Sequence, residues 1–275
     1  MNPSNPTIQL PCGSVGIKKM TDKSNQVRLD RLKSQARKGD AELAWVIGEG
    51  YLDGRICIPG EVLPVRKNRK VAEYWLRIAS EQGNADAMLE LSSVITTYGE
   101  PRWKEAFAWE VKAMELGASF AEYDAAITAS ALGRRKVAYR LLTASFPKHP
   151  GETSLLLGIC LYAGYGCHRD LEQAQRYFLR AAASCANLDK DRVDALFFVN
   201  AIRHGVSFSV EKHIGIARPK KIFDQDSASL FKRLSRNPAL SSPAKQALAE
   251  TLDSEAWQRQ SRCQLRSGEA EKRGG

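Results

Sequence analysis

The chain has 275 residues, 43% apolar and 26% charged, with 20 Gly and 11 Pro. It is long enough to bury a sizeable core, and its composition excludes a fibrous, low-complexity or wholly disordered protein. Lys and Arg total 41 against 31 Asp and Glu, a formal charge of +10 that lies in the flanks: residues 1–36 carry 6 basic and 2 acidic groups and residues 206–275 carry 13 and 8, whereas residues 37–205 are nearly balanced at 22 and 21.

Residues 1–24 read as a flexible N-terminal segment. Met1 to Leu10 is polar and Pro-rich, without the basic and apolar regions of a signal peptide, and no apolar stretch reaches the roughly 18 residues of a membrane-spanning helix. Six cysteines without dense regular pairing fit free thiols in a reducing compartment. The expectation is a cytoplasmic chain that does not associate with membranes.

From residue 25 onward one pattern recurs. Residues 25–38 predict a single helix closed by Gly39, acting as an N-terminal cap. Ile47-Gly48-Glu49-Gly50-Tyr51-Leu52-Asp53-Gly54-Arg55-Ile56-Cys57 then aligns without gaps on Leu157-Gly158-Ile159-Cys160-Leu161-Tyr162-Ala163-Gly164-Tyr165-Gly166-Cys167. Downstream of such blocks, an Ala is followed at +3 by a large apolar residue and at +7 by a small one: Ala72, Trp75, Ala79; Ala106, Trp109, Ala113; Ala138, Leu141, Ser145; Ala174, Tyr177, Ala181. Positions 0, +3 and +7 share one helical face, so each block predicts an amphipathic helix with its small residues in the core. Gly39, Gly83 and Gly117 supply stops, since Gly takes the left-handed conformation that closes a helix. Pro101 is placed just inside a second helix, Ser119 before the next, and Asp170 as the N-cap of the last well-formed one.

Beyond the repeats, a helix is expected over Asp189 to His204, an irregular segment over residues 206–225, and two further helices. One of these runs from Asp226 or Ser227 to Arg236. The other begins near Pro243 and runs to about Gln260, with Leu248, Leu252 and Ala256 on the face that docks on the repeat end. Residues 206–265 thus form an irregular segment plus capping helices, and residues 266–275 a disordered tail.

These blocks resemble the Sel1-like repeats, relatives of tetratricopeptide repeats. Leu157 to Ala182 carries the pattern best: Gly164-Tyr165-Gly166-Cys167 gives the turn, Asp170 the cap, Gln173-Ala174 the Lys-Ala position and Tyr177-Phe178 the aromatic pair. Other copies are degenerate: the first has an insertion within the loop Arg55 to Lys70, and the third, around Gly133, lacks the Gly-x-Gly turn. The resemblance implies an all-α fold over residues 25–205, a right-handed α-solenoid of stacked helical hairpins whose concave face binds proteins. Physics adds that one hairpin cannot bury its apolar face alone, so neighbours must stack.

Against that repeat, most conspicuous residues read as packing. Cys57 and Cys167 stand where the family has a small apolar residue and are expected to be buried. Cys160, Cys167, His168 and Cys185 lack metal-ligand spacing, and Gly164-Tyr165-Gly166 is a turn between helices rather than a phosphate cradle. His149, His168, His204 and His213 are scattered without a nucleophile pattern. No catalytic residue, cofactor or metal is therefore expected. Trp75 and Trp109 sit at packing positions. Trp45 and Tyr123 lie on first-type helices, the kind that lines the concave side in tetratricopeptide-like folds, and are candidate partner contacts. Arg66, Lys67 and Arg69 in the inserted loop, and Arg134 and Arg135 in the third turn, are further candidates that steer towards acidic surfaces, with solvated turns as the structural alternative. The function expected is a non-enzymatic scaffold or adaptor, in one variant an immunity protein, holding a protein or peptide. The alternative is nucleic-acid or anionic-surface binding through the basic flanks, with no recognised motif to support it.

Overall fold

Asp40, Asn68, Asn84 and Asp170 each open a helix by accepting the backbone N–H three residues on, from Leu43 (3.0 Å), Val71 (3.2 Å), Ala87 (2.8 Å) and Gln173 (2.9 Å). Each satisfies a donor that the first turn leaves without a helical partner. A computed structural model of the chain describes residues 22–97, 101–184, 189–206 and 241–254. In order they form α1 (Asp22–Arg37), α2 (Ala41–Asp53), β1 (Arg55–Ile58), β2 (Glu61–Pro64), α3 (Arg69–Glu81), α4 (Ala85–Thr97), α5 (Trp103–Glu115), α6 (Ala121–Ala131), α7 (Arg135–Ser145), α8 (Pro150–Ala163), α9 (Leu171–Ala183), α10 (Asp189–Arg203) and α11 (Ser242–Leu252). Gly39, Gly83 and Gly117, at φ 112°, 92° and 76°, occupy the turns after α1, α3 and α5. The chain divides into two compact units, Met1–Ile95 and Thr96–Gly275.

In the first unit α1 packs on α2, and α2 on α3. Gly48 lets α3 approach, because a Cβ there would stand 2.8 Å from Leu76 Cγ. The predicted inserted loop is an antiparallel hairpin, with Arg55 opposite Pro64 and Ile58 opposite Glu61. Its alternation explains why it is ordered: Ile56 and Leu63 point inward and are buried, and the Pro59-Gly60 turn closes it with Gly60 at φ 78°. Bonds from Val65 N–H to the Gly54 carbonyl and from Asn68 N–H to the Tyr51 carbonyl tie it to the end of α2. Cys57 alternates with Ile56 and is only half-buried, which corrects the expectation of a buried thiol.

In the second unit α5 packs on α6, α6 on α7, and so on through α10 and α11. One core joins α6, α7 and α8 through Ala126, Ala129, Ala138, Leu142 and Leu157. Another joins α8 to α11, where the Phe178 and Phe198 rings stack with centroids 4.8 Å apart.

The second-type helices α3, α5, α7 and α9 each bury a side chain at +4 from the anchoring Ala, where the large packing residue was predicted at +3. Leu76, Glu110, Leu142 and Phe178 are between 0% and 4% exposed, whereas among the +3 residues Trp75 is buried and Trp109, Leu141 and Tyr177 are half-buried. Both positions border the same face, and the one nearer its centre wins. Trp109 is thus a boundary residue, with the Lys112 ammonium 4.4 Å from its ring centroid. Pro101 lies outside α5, because Arg102 at ψ 59° is the N-cap, and Phe120 rather than Ser119 occupies that position before α6. Cys167 is half-buried, its thiol donating to the Cys160 carbonyl. Helix α11 ends at Leu252 rather than near Gln260, capped by the Asp253 N–H on the Ala249 carbonyl. Its Ala244 and Leu248 join the core that contains α10. Residues 1–21, the irregular segment from residue 207, the helix expected near 226–236, Ala256 and the tail 266–275 lie outside the described residues.

Candidate functional site

The repeat segregates charge by helix type. The first-type helices α2, α4, α6 and α8 carry Glu42, Glu49, Asp53, Asp86, Glu90, Glu122, Asp124 and Glu152, and no Lys or Arg. The second-type helices α3, α5 and α9 carry both acids and bases, as in the pairs Glu73 with Arg77 and Glu172 with Arg176, and α7 carries bases alone.

In the first unit, Glu42, Trp45, Glu49 and Asp53 fall at steps of three and four residues, one face of α2. Ala44, Ile47, Gly48 and Tyr51 face the core instead. Glu42, Glu49 and Asp53 are exposed and Trp45 is half-buried. The Trp45 indole N–H donates to Glu90 Oε2 at 2.8 Å, and Asn84 Nδ2 donates to Glu42 Oε2 at 3.1 Å, both joining α2 to the α4 segment. Burial pushes the Glu90 carboxyl up to about 7 against the lowering effect of the Trp45 bond, with Glu49, Asp53 and Asp86 adding like-charge repulsion. Glu49 is raised for the same reasons, first burial, then Asp53 and Glu42.

In the second unit Tyr123 holds the corresponding place on α6. Burial, then the charges of Asp191, Asp124 and Glu152, raise its phenol. Burial alone raises Asp124 to about 6. Burial also pushes up the Glu122 carboxyl, but the Lys148 ammonium bonded to it brings it below its ordinary value.

The basic candidates lie elsewhere. Arg66 and Lys67 are exposed between β2 and α3, and Arg69 opens α3. Arg134 and Arg135 are exposed at the start of α7, with guanidinium carbons 5.1 Å from the Phe107 and 5.2 Å from the Tyr165 ring centroids. The structure therefore brings Trp45 together with carboxylates rather than with the predicted arginines and lysines. Sequence reasoning missed these acids, although the absence of Lys and Arg from four alternate helices was already visible in the sequence.

Among the described residues no group of three His, Cys, Asp or Glu is placed to hold a metal ion, and no helix is long and apolar enough to cross a membrane. Burial pushes the Cys160 thiol up to about 12, with Cys167 adding to it, so it is not a ready nucleophile.

Residues 48–84 and 154–184 match the Sel1 repeat family, so the α2–α3 and α8–α9 hairpins are its two clearest copies. The chain carries Sel1 repeats. No curated protein matches it in sequence. Among solved structures, a protective antigen present in uropathogenic Escherichia coli strains, displaying an SLR fold, is similar with a TM-score of 0.54 at 18% identity, over 90% of this chain and 53% of its own. The chain thus spans about half the length of that antigen. A Sel1 repeat protein from Oxalobacter formigenes is similar with a TM-score of 0.50 at 18% identity, over 82% of this chain and 93% of its own. At such identity these likenesses establish the fold: an all-α solenoid of Sel1 helical hairpins. Sel1 repeats generally mediate protein–protein interaction.

Proposed function

We propose that this Sel1-repeat chain is a non-enzymatic scaffold that holds a protein or peptide on the first-type helices of its repeats. The observation that carries this reading is that each unit presents an aromatic side chain on a first-type helix, Trp45 or Tyr123, with acidic groups around it. Large aromatic side chains anchor interfaces because they bury much area at low entropic cost. Arg66, Lys67, Arg69, Arg134 and Arg135 act in this reading as rim contacts. The adaptor and immunity roles reduce to the same act, sequestering one partner on this face. A cytoplasmic setting belongs to the proposal and is supported by the free thiols of Cys160 and Cys167.

The test is affinity capture from native lysate with the wild-type chain and a Trp45→Ala/Tyr123→Ala variant of matched helicity. A protein recovered by the first and lost by the second is the expected result. Recovery unchanged by the substitutions, or recovery of nucleic acid alone that is released by moderate salt, overturns it.

A further inference from the structure

The stripe on α2 and α4 bears an unbalanced charge. Glu49, Asp53, Asp86 and Glu90 have no ion-pair partner among the described residues, and Glu42 is bonded to a neutral amide. This occurs in a chain of net charge +10, in which Glu73, Glu105 and Glu172 on α3, α5 and α9 each have an arginine within a turn. Cations are plentiful, yet none is placed on these two helices. Asp53 is also the last residue of α2 and Glu49 stands one turn earlier, with no basic group in that turn. Carboxylates at a helix C-terminus oppose the macrodipole and weaken the helix. The arrangement therefore costs stability twice, once through mutual repulsion and once through the dipole. Trp45 stands in the middle of the stripe with its N–H already committed to Glu90. That bond holds the indole in place and leaves its ring, the favoured aromatic partner of a guanidinium or ammonium group.

We infer that this face of α2 and α4 receives a cationic polypeptide segment, rich in Lys and Arg, whose charges complement Glu49, Asp53, Asp86 and Glu90 and one of whose side chains lies on Trp45. The inference rests on the scaffold reading and assigns its partner a chemistry opposite to the acidic one expected from the basic loops.

The probe is a short fluorescent Lys/Arg-rich peptide, with a Glu/Asp-rich peptide of equal length as control, titrated into the full chain by polarisation. A Glu49→Gln/Asp53→Asn/Asp86→Asn variant removes charge from exposed positions while relieving repulsion. It is expected to be at least as thermally stable as the wild type, yet to bind the basic peptide about tenfold more weakly or worse. Wild-type binding should weaken with salt and ignore the acidic peptide. Equal affinity of wild type and variant, or preference for the acidic peptide, overturns the inference. If the basic peptide fails to bind while lysate capture still depends on Trp45 and Tyr123, the cationic partner falls and the scaffold stands. If both fail, both fall.

Discussion

Gly48 and Gly158 occupy the same place in two copies of the repeat, and the residue each faces, Leu76 or Phe178, is a fully buried side chain of its second-type helix. A Cβ on Gly158 would stand 2.6 Å from the Phe178 ring, with no room to retreat in a core that also stacks Phe198 on Phe178. Gly158→Ala gains about 1 kcal/mol of helix propensity but forces an overlap that typically costs about 1–3 kcal/mol. We expect a net destabilisation of up to about 2 kcal/mol in urea denaturation, partly recovered in the double variant with Phe178→Leu; a stabilised single variant would contradict the packing. Glu110 stands where Leu76, Leu142 and Phe178 stand in the other copies. It is buried and accepts the Thr128 hydroxyl at 2.8 Å. The anchoring Ala residues and glycine stops were legible because their spacing repeats. The +4 position was not, because its occupants, Leu, Glu, Leu and Phe, share neither size nor polarity.

At the level of single elements, the α2–α4 stripe gives the chain a pH dependence whose sign follows from Glu90. Its folded-state value of about 7 lies above the ordinary 4.5. The cost to the fold is absent below about pH 4.5, where the folded and unfolded carboxyls are both protonated. It is complete above about pH 7, where both are ionised, so this group makes the fold less stable as pH rises through that window. Glu90→Gln keeps an acceptor for Trp45 and removes the charge. Its thermal midpoint should exceed that of the wild type above pH 7 by more than it does near pH 5, and an equal offset at both would show that Glu90 titrates normally. The β1–β2 hairpin is a second feature of this scale that the repeat pattern could not supply. An insertion has no counterpart in the other copies to align with, although the alternation of Ile56, Cys57 and Ile58 and the Pro59-Gly60 turn are local hairpin signals.

For the whole molecule, helix type sorts the charges. The middle of the sequence is neutral only as a sum, because the alternate helices α2, α4, α6 and α8 carry acids without bases, while the helices and turns between them carry both. Composition over long windows averages this away, which is why the basic runs at 66–70 and 134–136 drew attention and the acidic helices did not. The repeat fold itself was legible in the sequence, since a period of helix, turn, helix, turn constrains every copy at once. The account's central claim is that first-type helices do the recognising. Hydrogen–deuterium exchange on the chain with its captured partner tests that most directly. Slowed exchange over 41–53 and 85–97, or over 121–131 and 150–163, is the predicted result. Slowing confined to residues 66–70 and 134–136, with those four helices unchanged, would contradict it.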